Sequence, residues 1–366
     1  MKIQSLDLNS NLSFKYLFMA SDKNQKFCYI SIAKILAVYS VVILHTNHKF
    51  WNFNFEAYKT YWISANLIET IFYFAVPFFA LCIGATLLDF NEKYGIITYY
   101  KKRIIKLIIP LLSWTIIIYY YRVYILKNLP QIKFNFRDLW NLYYSHKVNS
   151  IFGSLHDFIL LYMIIPLIAY VEKSKKIKIY LYCFIFLLLC QSFFPYIINV
   201  FHLNLYWIYN INIRLIIYIF AGYIIHNYNF NCSIIIIIYI LGLYGFLIHL
   251  FGTKILTIKY KQIIILHKGY MNFPCVLYSC SLFLFIKKNS SYISKFLNKK
   301  YINKVGSLTF GPFFMHSPIM DYIRKLNIVN EFGLNYRLFG GIIICTICLI
   351  MTYILQKIPI LKYIVP

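Results

Sequence analysis

The chain returns repeatedly to runs of about twenty apolar residues, the length a helix needs to cross the hydrocarbon of a bilayer. Ten such runs can be marked, at 28–47, 64–88, 104–126, 152–171, 179–198, 205–226, 233–251, 263–286, 305–323 and 338–358. A soluble domain has no use for so many apolar residues, because much of its surface must face water. The chain is 61% hydrophobic and only 13% charged, against about 45–50% and about 25% in soluble domains. The longest interruptions, 127–151 and 287–304, leave no room for a separate soluble domain. The pattern predicts an all-α polytopic membrane protein of about ten transmembrane helices. A single transmembrane domain is expected over 28–358, with an N-terminal segment at 1–27 and a short tail at 359–366. Residues 1–26 are polar and mixed, and do not read as a cleavable signal.

The basic excess is large, with 37 Lys and Arg against 11 Asp and Glu. Nucleic-acid binders gather such residues on one polar face. Here they sit in short runs between apolar blocks, such as Lys173, Lys175, Lys176 and Lys178, or Lys287 and Lys288. That placement belongs to membrane loops and argues against a nucleic-acid partner. The loops on the side of the N-terminus carry the larger share of Lys and Arg, which places both termini in the cytoplasm. Cys345 and Cys348 form a C-x-x-C, but within a continuous apolar run. They read as small buried hydrophobes rather than a redox or metal pair, and no metal site is expected.

Ionisable residues at membrane depth are costly, so each is a candidate functional residue. Lys34 and His45 lie on the first run, eleven residues apart. That spacing is about 16 Å of rise and about three turns, so both share one helix face. Lys34 can also act as a snorkelling anchor, and His45 as an interfacial or core histidine. Lys101, Lys102, Arg103 and Lys106 open the third run. Part of this cluster is a positive-inside stop. Arg103 and Lys106, at i and i+3, also form a possible clamp for two phosphates of a soluble anionic cofactor. His156 and Asp157 open the fourth run as a proton carrier or as a polar helix start. Arg214 needs a partner or a cavity, and Glu69 is one possible partner. His316 follows Gly311 and Pro312, and Pro312 and Pro318 are expected to bend its helix.

The stretch Ser31-Ile-Ala-Lys34-Ile-Leu-Ala37-Val-Tyr-Ser-Val41-Val42-Ile-Leu-His45 resembles the opening helix of the acyltransferase 3 family, membrane-bound O-acyltransferases of bacterial surface glycans. The family pattern is Asp-x-x-Arg, ten residues, then His. Further landmarks follow in order. Val76-Pro77-Phe78-Phe79 with Gly84 resembles a Val-Pro-x-Phe segment ending in Gly. Lys102-Arg103-Ile-Ile-Lys106 with Pro110 resembles Lys-Arg-x-x-Arg then Pro. Leu155-His156-Asp157-Phe158 is similar to a degraded His-x-Trp-Phe motif. Leu308-Thr309-Phe310-Gly311-Pro312-Phe313-Phe314-Met315-His316 is similar to Ser-Tyr-Gly-x-Tyr-x-x-His. Ser31 replaces the family Asp, Lys34 its first Arg, and Lys106 its clamp Arg; a lysine binds phosphate as a point charge without the bidentate fork.

The resemblance implies a multi-pass protein of the bacterial cytoplasmic (inner) membrane. It implies a cytoplasmic acyl-CoA donor, most often acetyl-CoA, used as a substrate with no permanently bound cofactor. The acceptor would be a hydroxyl of a lipid-linked or growing surface polysaccharide such as O-antigen or capsule. Arg103 and Lys106 would hold the CoA phosphates, the pantetheine arm would pass Lys34, and His45 would act as general base. His156 or His316 would orient it or stabilise the oxyanion. Two other classes compete: a glycan transporter or flippase, expected to show symmetric halves with broken helices, and a polysaccharide polymerase, expected to carry one long outer loop. Neither pattern is evident in the sequence.

Overall fold

The computed structural model describes residues 23–129, 152–203 and 213–366, with Arg137 and Asn141 as isolated helical positions. The described residues are helical, with no strand among them. The helices are α1 (Lys23–Thr46), α2 (Ile63–Phe72), α3 (Ala75–Leu87), α4 (Ile96–Arg103), α5 (Ile109–Tyr120), α6 (Gly153–Ala169), α7 (Lys173–Leu187) and α8 (Phe194–Phe201). They continue with α9 (Ile216–Asn227), α10 (Cys232–Leu247), α11 (Thr253–Tyr260), α12 (Phe273–Phe296), α13 (Lys299–Leu308), α14 (Gly311–Lys325) and α15 (Gly341–Leu355). Several run on through π-helical turns, so that among the described residues six continuous segments are long and apolar enough to cross a membrane. These are Cys28–Thr46, Tyr58–Glu92, Ile96–Leu126, Lys173–Phe201, Cys232–Tyr260 and Tyr336–Leu355.

Ten crossings were expected on sequence, and the other four candidates are shorter, broken or more polar. The α6 and α9 helices are apolar but short. The α12 helix carries Lys287, Lys288 and a polar last turn. The run at 305–323 is divided between α13 and α14, because the chain breaks at Thr309 and Phe310. Pro312 therefore opens α14 rather than bending it; only Pro318 lies inside. The run at 263–286 begins its helix ten residues late, at Phe273, where Pro274 sits in the first turn and its missing N–H costs nothing. Residues 263–272 instead fold inward, burying Lys268. Described helix in the sixth run begins at Ile216, so Arg214 precedes it; residues 204–212 of that run, and most of 130–151, lie outside the described residues.

The α1 helix is the hub. It packs against α3, α12, α13 and α15, and Ala33, Ala37, Val38 and Val42 are fully buried. Small residues let backbones meet where a bilayer gives no hydrophobic push between helices. A Cβ on Gly84 of α3 would stand 2.0 Å from the carbonyl oxygen of Ile219 on α9, and one on Gly222 would stand 2.1 Å from that of Leu81. The two helices are thus locked at backbone distance from both sides. On α15, Cys345, Cys348 and Thr352 face the core, while Ile343, Ile347, Ile350 and Ile354 are exposed. An outer surface this apolar is suited to lipid. Cys345 and Cys348 are free and buried.

The tail does not stand apart from the bundle. Trp114 Nε1 donates to the Ile364 carbonyl and Gln356 Nε2 to that of Val365, both at 2.9 Å, and Val365 is fully buried.

Candidate functional site

A cavity of about 430 Å³ lies among α1, α3, α4, α6, α13 and α14. It brings together Lys34, Arg103 and Lys106, three cations that the chain separates by up to seventy-two positions. Each arrives for a local reason. Lys34 projects from the packed face of α1 beside Ala33 and Ala37. Arg103 ends α4, and Lys106 sits in the π-helical turn Ile104–Ile108 that follows. That extra residue in the turn is a device common at functional sites, and both side chains reach the cavity. The Arg103 guanidinium lies over the rings of Tyr99 and Tyr162, 5.6 and 5.4 Å from their centroids. Stacking of this kind fixes a guanidinium plane. Its buried Nε has no acceptor among the described residues.

No Asp or Glu side chain lines the cavity, and none of the three cations makes an ion pair among the described residues. Three cations beside a lining with no acidic side chain favour an anion; Pro366, the last residue of the chain, lines the cavity as well.

Thr86, Ser307, Thr309 and Gln356 share the lining with the cations, and Phe79, Ile83, Leu155, Phe158, Phe310 and Phe313 give it apolar walls. Ring contacts between Phe79 and Phe158 and between Phe152 and Phe314, at 6.3 and 5.6 Å, tie α3 to α6 and the start of α6 to α14.

Past Phe313 stands a histidine pair. The His45 and His316 rings are 5.1 Å apart, centroid to centroid. His316 is fully buried, and its Nδ1 lies 2.7 Å from the Pro312 carbonyl. A carbonyl only accepts, so Nδ1 carries the proton and Nε2 keeps its lone pair. That Nε2 is buried without a partner among the described residues. His45 is half-buried. His156 follows Leu155 on α6 and is not a cavity-lining residue; its neighbour Asp157 pairs with Arg214 at 3.2 Å. Arg214 thus takes Asp157, not Glu69.

Glu69 instead joins a buried network that sequence reasoning did not find. Asn47 Nδ2 donates to Glu69 Oε2 at 3.2 Å, and Arg337 Nη1 donates to Asn47 Oδ1 at 3.3 Å. Arg337 Nη2 donates to Ser64 at 2.7 Å, and Thr46 donates to the Arg337 carbonyl at 2.9 Å. The residues directly after His45 are therefore clamped from two sides. Beyond them lies a charged rim. Arg324 donates to His48 Nδ1 at 3.1 Å and pairs with Asp321 and Glu331 at 3.4 and 3.1 Å. Lys49 pairs with Glu331 at 2.7 Å. Burial and the nearby Arg324 hold the His48 imidazole below its ordinary value. Burial pushes the Glu331 carboxyl up, but Lys49, His48 and Arg324 outweigh it and hold it below the usual carboxylate range.

A family model described as an acyltransferase domain, that of acyltransferase 3, matches residues 28–355. The chain belongs to the acyltransferase 3 family. No curated protein and no solved structure matches it. The family match spans nearly every element described above and fits a multi-pass membrane acyltransferase built from apolar helices.

Proposed function

We propose that this acyltransferase carries an acyl group, most simply acetyl, from cytoplasmic acyl-CoA to a hydroxyl of a cell-surface glycan on the opposite side of the bilayer. The observation that carries the reading is the cavity itself: three cations with no acidic side chain among them, an aromatic lining, and a histidine pair that meets that lining at Phe313. A CoA thioester has the matching form, with phosphates, a slender arm and a reactive carbonyl at its tip. With the ten crossings of the sequence reading, the loop-charge bias favours both termini cytoplasmic, which puts the cations toward the inner face and His45 toward the outer one.

In this reading Arg103 and Lys106 hold CoA phosphates through charge-assisted bonds, with Lys34 beside the arm. The rise of about 16 Å from Lys34 to His45 is comparable to the length of that arm. His45 takes the proton of the attacking hydroxyl. The hydroxyl oxygen bonds to the thioester carbonyl carbon, the C–S bond breaks, and the CoA thiolate leaves and regains a proton. His316 has its Nε2 lone pair free and its ring 5.1 Å from that of His45; an N–H taken up from His45 as the substrates bind keeps the other His45 nitrogen basic. The buried clamp at Thr46 and Asn47 fixes the backbone that carries His45. His156 has no assigned step.

The test is transfer of radiolabelled acetyl from acetyl-CoA to extracted host glycolipid in membrane vesicles, comparing wild type with His45→Ala at equal expression. Label on glycan with wild type, and at least about a hundred-fold less with the variant, is expected. Equal label in both would remove His45 from the chemistry.

A further inference from the structure

One side chain borders both the cavity and the histidine pair. Phe313 lines the cavity, is only 5% exposed, and meets His316 edge to face at 6.4 Å between centroids. Its neighbour Phe314 is fully buried and packed by Phe310, Phe152 and Trp114. The ring of Phe313 therefore has rigid support behind it and does not yield cheaply, because interiors are packed like crystals. At this position the related motif carries Tyr. Phe leaves the wall with no hydroxyl and purely apolar.

We propose that Phe313 is the specificity-determining residue that limits the donor to a two-carbon acyl group. This rests on the reading of the cavity as a CoA-thioester site. The thioester carbonyl has to come beside the histidines, so the acyl chain beyond it lies against the Phe313 ring that borders His316. A methyl group fits against that ring. Each further methylene has to displace it, and a hydrophobic wall discriminates by about ten-fold or more per methylene when it cannot move. Removing the ring opens room for a longer chain next to Phe310 and Phe158, both of which line the cavity.

The experiment measures displacement of radiolabelled acetyl-CoA from the purified, detergent-solubilised full chain by CoA, acetyl-CoA, butyryl-CoA and hexanoyl-CoA. Wild type is expected to prefer acetyl-CoA over butyryl-CoA by about a hundred-fold or more, at about ten-fold per methylene, and over hexanoyl-CoA by more still. Phe313→Ala should reverse or erase that preference, with affinity for CoA itself unchanged. Phe313→Leu, which keeps most of the packing, should fall between the two and serves if the alanine variant does not fold. An unchanged chain-length ranking in both variants overturns the proposal, as does wild type that binds hexanoyl-CoA as tightly as acetyl-CoA. Absence of any CoA binding by folded wild type overturns the donor-site reading itself, a result distinct from either.

Discussion

At the scale of single residues, the proposed donor site depends on how each cation of the cavity is held. Arg103 is stacked between two tyrosines with its Nε unsatisfied, so its fork is aimed before any ligand arrives. Lys34 and Lys106 offer mobile point charges. Arg103→Lys is expected to weaken acetyl-CoA binding by about ten-fold or more, through loss of charged hydrogen bonds, with a smaller effect on the rate at saturating donor. Equilibrium binding together with a KM and kcat comparison checks this. Lys34, His45, Arg103 and Lys106 were legible in the sequence because their spacing survives as motif. The partners of Glu69 and Arg214 were not. A buried ionisable group announces that it needs a partner but not which one: Glu69 found Asn47, and Arg214 found Asp157. Phe313 was silent as well, since one Phe among many in an apolar run carries no signal of standing at a cavity's end.

At the scale of elements, the cavity wall depends on backbone contact between α3 and α9. Gly84 sits one residue past Ile83 and two before Thr86, both of which line the cavity. Any side chain there must push Ile219 away. Gly84→Val is expected to cost about 1–3 kcal/mol, and also to weaken donor binding, as read by thermal unfolding in detergent and by acetyl-CoA displacement. Element identity was readable wherever a long apolar run stood alone, as in α1 and α15. It failed at 263–272, where an apolar start conceals an inward-folded loop, and at 305–323, where one run proved to be two helices. Hydropathy measures how apolar a segment is, not whether its backbone continues.

The rim that follows α1 ties titration to structure. His48 and Glu331 are both held below their ordinary values of 6.5 and 4.5. For His48 the unfolded chain binds the proton more readily, so stability rises with pH across the interval below 6.5. Glu331 contributes stability above 4.5 that is lost as pH falls. Both have the same sign. Protection of the amides across 48–51 and 326–333, taken relative to the intrinsic exchange rate at each pH, is expected to fall on acidification from about pH 7.5 to about pH 5.5, and His48→Gln should flatten that response. Protection that does not change with pH in wild type would contradict it.

At the scale of the whole molecule, a bundle this apolar with a net charge of +26 places its charge in loops and at a few internal positions. The family membership fixes the class of chemistry. Under the proposed function, the arrangement of cations, aromatic lining and histidines gives that chemistry a direction. The central claim is vectorial: donor on one face, acceptor on the other, and no passage of CoA itself. The most direct measurement supplies membrane-impermeant radiolabelled acetyl-CoA to vesicles of known sidedness carrying endogenous glycolipid. Inverted vesicles, with the cytoplasmic face outward, should place label on glycan enclosed in the lumen while labelled CoA stays outside. Right-side-out vesicles should incorporate none until they are opened. Labelling of intact right-side-out vesicles at the rate of inverted ones would contradict the account.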